Sequence, residues 1–458
     1  MRTEKDSLGE IQIPDEAYYG VHTARSLGHF GLSGEAMPME IILAIVKLKW
    51  ACAKVNSTLN LLPAEKRKAI ATACQRVLGG EFDSQFPLDV FQAGSGTSTN
   101  MNVNEVIANI ANEILGGKKG DRGLVHPNDD VNMGQSTNNV FPSAIKMAAL
   151  ELSQKMLAAL RKVIAEMRKK EGEMAEVFKS GRTHLQDAVP ITLGQEFSAY
   201  ARALEKDLKR VEHARAKLRE LGAGGNAIGT GVNTKKEFRP MLIRELSTLA
   251  GEAFESAENG IEVTQFLTDL AEMSGSLRLL SLDLQKICND LRLMASGPNA
   301  GLNEIMLPAV EPGSSIMPGK VNPSICEAVN MVCLQVMGND YCIAMACGLG
   351  QLELNTHMPV IGLNLVKSIR LLTRACELLA EKCLAGITAN REICGRYLEQ
   401  SAGMAAILNP KLGYDRVAEL VKESLKTRKS MRELIVEKKI MSGQEFEDLL
   451  HRAIGPNL

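Results

Sequence analysis

A glycine-rich stretch at residues 312–323 carries the residue types needed to grip a carboxylate and to remove a proton from the carbon beside it. Ser314 is the first of its two serines, and Lys320 is its one cation. Hydroxyls, backbone N–H groups and an ammonium can all donate hydrogen bonds to a carboxylate. Asn322 followed by Pro323 is typical of a helix N-cap and first helical position. Helix capping does not explain a lysine among apolar neighbours in a flexible loop.

Three further stretches break the helical pattern of the chain with glycine and uncharged polar residues. They are residues 94–102, 135–139 and 181–187. Any one of them is explained as well by the caps and turns found at helix starts. Three in one chain favour a binding site for a small anion, because their hydroxyl, amide and backbone N–H groups are hydrogen-bond donors. A lone histidine such as His184 is more often a surface or capping residue, and only its place in the third stretch makes it a candidate.

The overall composition limits the classes of protein to which the chain can belong. Among 458 residues, 53 Lys and Arg nearly balance 54 Asp and Glu, and this balance excludes a broad electrostatic surface for nucleic acid or anionic membrane. No apolar run reaches the roughly 18 residues that span a bilayer, and the charged N-terminus has no apolar signal core. Ten cysteines without a Cys-x-x-Cys pair indicate buried, reduced thiols. We therefore expect a cytoplasmic protein with no metal site and with neither membrane nor nucleic acid as partner.

Proline positions predict where long helices lie, because proline interrupts helix interiors. Residues 143–189, 191–239 and 241–297 contain no proline, and their apolar residues recur at steps of three and four. Pro142 and Pro190 stand where such helices would begin. Only 4% of the residues are aromatic, while 21 are Met, which also favours helices over sheets. Helices of about 30 residues need one another's apolar faces, so the predicted fold class is all-α, with a bundle of very long helices.

Three domains are predicted along the chain. They are a helix and loop domain at residues 1–137, the central long-helix bundle at 138–392, and a small helical domain at 393–458. Within the bundle, residues 263–295 are apolar on more than one side, as in a helix that is buried nearly all round. One chain does not supply enough bundle to cover such a helix. The central helices are therefore expected to assemble with those of other subunits.

The four polar stretches closely resemble signature sequences of the aspartase/fumarase superfamily, and they occur in the family's order. The stretch at 312–323 is the most specific match, and residues 229–233 (Gly-Thr-Gly-Val-Asn) add another. The likeness runs from about Leu8 to Gly413. It implies an enzyme that eliminates a group from the carbon β to a carboxylate of a small dicarboxylate substrate, and no cofactor is expected because the sequence contains no organic cofactor motif. It also implies a homotetramer with a multi-helix core and with active sites shared between subunits.

The resemblance implies roles for individual residues. Ser314 resembles the general base that takes the Cβ proton, and its alkoxide must be stabilised when the loop closes over the substrate. Thr183 and His184 resemble the pair that completes the catalytic pocket. The other matching residues resemble the groups that bind the two substrate carboxylates: Thr97, Ser136 and Thr137 for the β-carboxylate, and Asn138, Lys320 and Asn322 for the α-carboxylate.

The motifs do not agree on whether the leaving group is ammonia or water. Those similar to aspartases are residues 19–23, 96–98, 136–138 and 188–190, and those similar to class II fumarases are residues 126–130 and 140–142. Asn139, where both groups usually have Asp, and residues 355–359 depart from both patterns and bear on substrate preference. We hypothesise an L-aspartate ammonia-lyase. A class II fumarate hydratase is the alternative, and a non-catalytic helical structural protein is a remote one.

Overall fold

The structure, a computed structural model, describes residues 1–454, so the last four residues of the predicted 393–458 domain lie outside it. The chain folds mainly into α-helices, which confirms the predicted all-α class. The N-terminal elements are β1 (Arg2–Asp6), β2 (Gly9–Ile13), α1 (Val21–His29), α2 (Met39–Thr58), α3 (Ala64–Leu78) and α4 (Thr97–Ile114). Strands β1 and β2 form an antiparallel pair.

The central part of the chain contains the long helices that the proline pattern predicts. Its elements are α5 (Thr137–Glu173), β3 (Phe178–Thr183), β4 (Gln186–Thr192), α6 (Leu193–Lys217), β5 (Glu220–Leu221), α7 (Phe238–Ala250), β6 (Glu255–Ser256), α8 (Glu262–Gln265), α9 (Thr268–Met294), β7 (Ile305–Met306), α10 (Ser324–Cys347) and α11 (Met358–Leu378). Helix α5 has 37 residues, a length of roughly 55 Å. Helices α6, α9, α10 and α11 have 25, 27, 24 and 21 residues.

Shorter helices with a core of their own form the C-terminal part. The elements are β8 (Thr388–Ala389), α12 (Arg391–Gln400), α13 (Asn409–Leu412), α14 (Tyr414–Thr427), α15 (Met431–Glu437) and α16 (Gly443–Ile454). Leu408, Ile435 and Phe446 lie in their shared apolar core. A capping box between Ser430 and Glu433 begins α15.

Two helix starts predicted from proline are wrong. Helix α5 begins five residues before Pro142, which lies inside the helix, and Pro190 lies in strand β4. The absence of proline permits a helix but does not require one. Gly181 instead allows β3 and β4 to pair closely, because a Cβ at that position would stand 2.7 Å from the carbonyl oxygen of Val189.

The chain divides into two compact units. The first unit comprises Met1–Leu157, Lys209–Leu279 and Leu334–Leu372, and the second comprises Ala158–Leu208, Leu280–Cys333 and Thr373–Leu458. The boundaries between the units fall within the long helices. The three-domain division at residues 1–137, 138–392 and 393–458 stays a prediction.

Helix α4, which begins at Thr97, is buried along nearly its whole length although it is rich in asparagine. Its amides bond to the carbonyl groups of surrounding loops. Asn102 Nδ2 donates to the carbonyl oxygen of Gln85 (3.0 Å), and Asn109 Nδ2 donates to that of Tyr18 (2.8 Å). Buried polar groups need such partners. The loops around α4 therefore anchor the helix and fix the position of its first turn.

Between Met1 and Ile454, no helix is long and apolar enough to cross a membrane. All ten cysteines are free and eight of them are buried, as expected, while Cys342 and Cys347 are partly exposed. The cytoplasmic location stays a prediction.

Candidate active site

Thr97 occupies the first position of α4, directly after a 3-10 turn at Gly94–Gly96. The turn is tight, since Ser95 and Gly96 both have positive φ, 61° and 83°. A Cβ at position 96 would stand 2.4 Å from ring carbons of Phe141, so only glycine fits there. This close packing places the start of α4 against α5.

The same turn brings Ser95 to Thr97, a pairing that was not predicted from the sequence. The two side-chain oxygens lie 3.3 Å apart, and Ser95 is buried. The Ser95 N–H donates to the carbonyl oxygen of Thr356 at 2.8 Å. A serine with positive φ is uncommon, and such backbone strain is concentrated at functional sites. The only signal in the sequence is the position of Ser95 between two glycines.

Ser136, Thr137 and Asn138 lie together at the start of α5. Ser136 immediately precedes the helix, and its Oγ accepts the N–H of Asn138 at 3.3 Å. Thr137 is the first helical residue and is buried. Asn138 Nδ2 donates to the carbonyl oxygen of Ala227 at 2.8 Å, which fixes the orientation of its side chain. The structure thus places all three predicted residues at one helix N-terminus.

Two long helices therefore begin at hydroxyl residues that the family resemblance connects with a substrate carboxylate. The first backbone N–H groups of a helix have no partner within the helix, and they carry a partial positive charge. Helix N-termini are accordingly common binding sites for carboxylates and phosphates. Contact between Gly96 and Phe141 joins the starts of α4 and α5 within the first unit. Chemically, these two helix starts are equipped to bind an anion.

Both departures from the family pattern lie beside these residues. Asn139 is buried, and its Nδ2 donates to Thr264 Oγ1 at 2.7 Å. Its Oδ1 has no hydrogen-bond partner among residues 1–454, so an aspartate here would place a charge in a site with little compensation. The segment 355–359 supplies the carbonyl group of Thr356 that receives the Ser95 N–H. The segment 355–359 thus contacts the turn before Thr97, and Asn139 directly follows Asn138 in α5.

Thr183 and His184 lie at the tip of the hairpin formed by β3 and β4, rather than in an irregular loop. Thr183 pairs with Gln186, which leaves His184 and Leu185 as a two-residue turn. Both turn residues have positive φ, 55° and 59°, as a type I′ turn requires. Neither is glycine or asparagine, so the turn is strained. The hairpin holds the His184 imidazole exposed at its end.

A buried charge network holds this hairpin. Glu304 is fully buried, and its carboxylate lies 2.7 Å from Lys179 Nζ and 2.9 Å from Arg182 Nη2. Burial by itself lowers the pKa of Arg182, but the hydrogen bond to Glu304 and its charge outweigh burial and raise it. Glu196 lies 3.0 Å from Lys179, and burial raises the pKa of Glu196 although the ammonium opposes that shift. Two cations and two carboxylates thus neutralise one another.

The network connects two parts of the second unit that carry predicted site residues. Arg182 directly precedes Thr183, while Glu304 directly precedes β7, from which the chain continues into the 312–323 loop. Neither Glu304 nor Lys179 was predicted as a site residue. A charged residue beside apolar ones, as in Glu304-Ile305-Met306, is the only sequence signal for them.

The 312–323 loop is closed at its base by its own backbone. The Gly313 N–H donates to the carbonyl oxygen of Lys320 at 2.9 Å, and Asn322 Nδ2 donates to the carbonyl oxygen of Gly313 at 2.8 Å. The loop is therefore a closed ring of chain, and the two predicted α-carboxylate ligands that it contains, Lys320 and Asn322, lie at its base. The Lys320 side chain is exposed, and its ammonium has no ion pair with another residue of the described chain.

Asn322 is not the N-cap of α10, so that prediction is wrong by one residue. The first helical hydrogen bond runs from the Glu327 N–H to the carbonyl oxygen of Pro323, which places Pro323 at the N-cap and Ser324 at the first helical position. Closure of the loop, not helix capping, accounts for the Asn322 side chain.

Ser314 lies inside this loop, and its hydroxyl oxygen already accepts two hydrogen bonds. The backbone N–H groups of Ile316 and Met317 each donate to Ser314 Oγ at 3.1 Å. Two donors aimed at one oxygen stabilise negative charge on it, in the manner of an oxyanion hole. An alkoxide at Ser314 is therefore more stable in this loop than on a serine that is surrounded by water.

The predicted residues are distributed over both units. Thr97, Ser136, Thr137 and Asn138 belong to the first unit, while Thr183, His184, Ser314, Lys320 and Asn322 belong to the second. Within the first unit they gather at two adjoining helix starts, and within the second they occupy the hairpin tip and the closed loop. No group of three or more His, Cys, Asp and Glu in residues 1–454 is arranged to hold a metal ion.

Comparison with known protein families agrees with this architecture. Residues 9–338 match the family model described as Lyase, and residues 404–453 match the one described as Fumarase C C-terminus. The chain belongs to the aspartase/fumarase superfamily of lyases.

Individual relatives are similar over nearly their whole length. The aspartate ammonia-lyase of Helicobacter pylori strain J99 is 44% identical over 98% of this chain and 96% of its own. The class II fumarate hydratase of the same strain is 45% identical over 99% of both chains. A crystal structure described as fumarate lyase:delta crystallin from Brucella melitensis bound to cobalt superposes with a TM-score of 0.96, at 46% identity, over 99% of this chain and 100% of its own. Overall identity therefore does not separate ammonia from water as leaving group.

Proposed function

We propose that this protein is an L-aspartate ammonia-lyase, which converts L-aspartate reversibly into fumarate and ammonia. In the proposed reaction, a base removes the Cβ proton, and the electron pair of the broken C–H bond moves onto the β-carboxylate as an aci-carboxylate. That electron pair then forms the Cα–Cβ double bond as the Cα–N bond breaks. The observation that carries the proposal is the pair of backbone N–H groups directed at Ser314 Oγ.

Ser314 is the proposed general base. A serine hydroxyl is a poor base in water, because its alkoxide is unstable there. In the 312–323 loop, the N–H groups of Ile316 and Met317 already point at Oγ, so they need no rearrangement to stabilise its charge. Lys320 and the exclusion of water on loop closure would add to that stabilisation.

The other predicted residues bind and orient the dicarboxylate in this proposal. Thr97, Ser136 and Thr137 donate to the β-carboxylate, where the negative charge develops. Support comes from their position at the N-termini of α4 and α5, whose dipoles favour an anion. For the α-carboxylate, the proposed ligands are Asn138, Lys320 and Asn322. Thr183 and His184 complete the pocket from the strained hairpin tip.

The choice of L-aspartate over L-malate rests on the aspartase-like motifs at residues 19–23, 96–98, 136–138 and 188–190. Fumarate hydratase is retained as the second candidate, because a relative with that activity is equally similar. The two candidates share the base and the carboxylate ligands and differ only in the group that leaves Cα.

Purified protein should therefore release fumarate from L-aspartate, measured by ultraviolet absorbance, with kcat/KM at least about 100-fold above that for L-malate. The reason is that a site arranged for an ammonium leaving group leaves polar groups unpaired when it holds a hydroxyl. Turnover of malate alone would identify a fumarate hydratase instead. Turnover of neither substrate would favour the structural-protein alternative.

We also propose that the chain assembles into a homotetramer whose active sites are shared between subunits. Support comes from an apolar face on α10, where Met331, Leu334, Tyr341 and Met345 are all more than half exposed. Their spacing of three, seven and four residues places them on one side of the helix. Exposed apolar faces of this kind mark protein interfaces.

Light scattering should give a mass about four times the 49.7 kDa of one chain. Leu334→Glu should produce smaller species and loss of turnover, because a charge would be buried in the interface. Leu425→Glu is the matched control, since Leu425 is 71% exposed on α14 and should tolerate the change. An active wild-type monomer would contradict the shared-site proposal.

A further inference from the structure

Lys49 in α2 is a buried cation that the proposed mechanism does not use. Its side chain is fully buried, and among the described residues it forms no ion pair with a carboxylate. Its ammonium donates instead to two amide oxygens, Oδ1 of Asn100 at 2.7 Å and Oδ1 of Asn132 at 2.8 Å. Holding a cation out of water without a counter-charge is unfavourable. Such a residue is expected where an anion compensates its charge in the working protein.

Both amides lead to the predicted carboxylate-binding residues. Asn100 lies three positions after Thr97 on the first turn of α4, so the two side chains share a helix face. Asn132 Nδ2 donates to the carbonyl oxygen of Gln135 at 3.2 Å, directly before Ser136. The two amides also contact each other, since Asn100 Nδ2 donates to Asn132 Oδ1 at 3.3 Å. Lys49 is thus joined by short hydrogen-bond paths to both loops of the first unit.

We propose that Lys49 is a positioning residue for dicarboxylate binding, which holds the starts of α4 and α5 together and supplies the positive charge that the substrate β-carboxylate compensates. This inference rests on the proposed function and deepens it. Lys49 acts through Asn100 and Asn132 and does not touch the substrate. Because Lys49 is buried, it also has a second role: it makes substrate binding depend on whether its own side chain is protonated.

The surroundings of Lys49 are consistent with that second role. Burial lowers the pKa of Lys49 from its ordinary 10.5 to about 7. The ionisable groups that act on it are the thiols of Cys52 on α2 and Cys74 on α3, both neutral, because burial raises the pKa of Cys52 to about 12 and raises that of Cys74 as well. The partners from α4 and from the turn before α5, Asn100 and Asn132, do not titrate.

The sign of the effect follows from this pKa. Between about pH 7 and 10.5 the folded protein binds fewer protons at Lys49 than the unfolded chain does. The destabilisation of the fold by the buried cation therefore decreases as pH rises through that window. A bound dianion favours the ammonium form and draws the proton back. Binding of a dicarboxylate slightly above neutral pH should therefore take up about one proton at each site.

The test uses succinate, a dicarboxylate without a leaving group, in titration calorimetry of the wild-type protein and of Lys49→Met. Heats measured in phosphate and in Tris at about pH 8 give the number of protons taken up. The wild-type protein should take up close to one proton per succinate, with an affinity that falls about tenfold for each pH unit above about 7. Lys49→Met should take up none, bind about tenfold more weakly or worse near pH 7, and show no such pH dependence.

Two further variants keep the inference open to refutation. Lys47→Met lies on the same helix but removes a partly exposed lysine paired with Glu151, and it should behave as the wild type. Asn100→Asp gives Lys49 a permanent counter-charge, so proton uptake should vanish and succinate should bind more weakly. This variant decides the matter if Lys49→Met does not fold.

Unchanged affinity and proton uptake in a folded Lys49→Met, or in Asn100→Asp if Lys49→Met does not fold, would overturn the inference while leaving the proposed function standing. Failure of the wild-type protein to bind succinate, with no turnover of L-aspartate or L-malate, would instead remove the proposed function itself.

Discussion

Replacing Ser314 with alanine should abolish turnover of L-aspartate while leaving folding and assembly intact. We expect kcat to fall by about 10³ or more, because alanine has no oxygen to accept the Cβ proton. Stability should change little, since within residues 1–454 the Ser314 side chain accepts hydrogen bonds from its own surface loop alone, from the N–H groups of Ile316 and Met317, which water can satisfy instead. The measurements are steady-state kinetics, circular dichroism and light scattering on the same preparation.

Ser315→Ala is the matched control, because it removes a hydroxyl from the adjacent position of the same loop. The backbone N–H groups converge on Ser314 Oγ, so Ser315→Ala should retain at least about a tenth of wild-type kcat. Wild-type activity in Ser314→Ala, or a greater loss in Ser315→Ala, would show that the base has been assigned to the wrong residue.

Replacing Glu304 with glutamine should be the most damaging substitution outside the predicted site residues. Glutamine keeps the volume of the side chain but removes the charge that faces Lys179 and Arg182. Removing one partner of a buried ion pair costs about 3–5 kcal/mol, since the other charge stays buried without compensation. Glu196 remains beside Lys179, but it does not replace the carboxylate that holds Arg182.

The predicted consequences of Glu304→Gln are a much lower unfolding temperature and a loss of turnover, because the hairpin with Thr183 and His184 loses its attachment. Differential scanning calorimetry and kinetics would measure both. Glu437→Gln is the control, since Glu437 pairs with Lys429 at an exposed position, where water and salt screen the pair and its loss should change stability little. Equal unfolding temperatures for the two variants would show that the buried network is not what holds the hairpin.

Much of the candidate site could be predicted from the sequence, because its residues lie in short motifs. The serine, lysine and asparagine of the 312–323 loop fall within nine positions, so their association is local. Their geometry was not predictable in the same way. Asn322 was predicted as a helix cap from the asparagine–proline order, whereas its side chain closes the loop onto Gly313, which lies nine residues away.

The fold was predictable where one local rule decided it. Long amphipathic stretches without proline predicted α5, α6 and α9, because helix periodicity is a property of neighbouring residues. The same rule failed at residues 178–192, where the pairing of β3 with β4 is favoured over helix formation. Gly181 permits that pairing, but the choice depends on how closely β4 approaches, and a one-dimensional pattern does not contain that distance.

By itself, the sequence determined the helical class, the family and the kinds of residue available for chemistry, because periodicity and motifs are local. Only the tertiary structure decided which charges are buried and what meets them. Glu304 reaches Arg182 across 122 positions of the chain, and Lys49 reaches Asn100 across 51. Burial and electrostatic partners determine the charge state of each group and the free energy that its burial costs. Burial and partners both arise from packing between segments far apart in the chain.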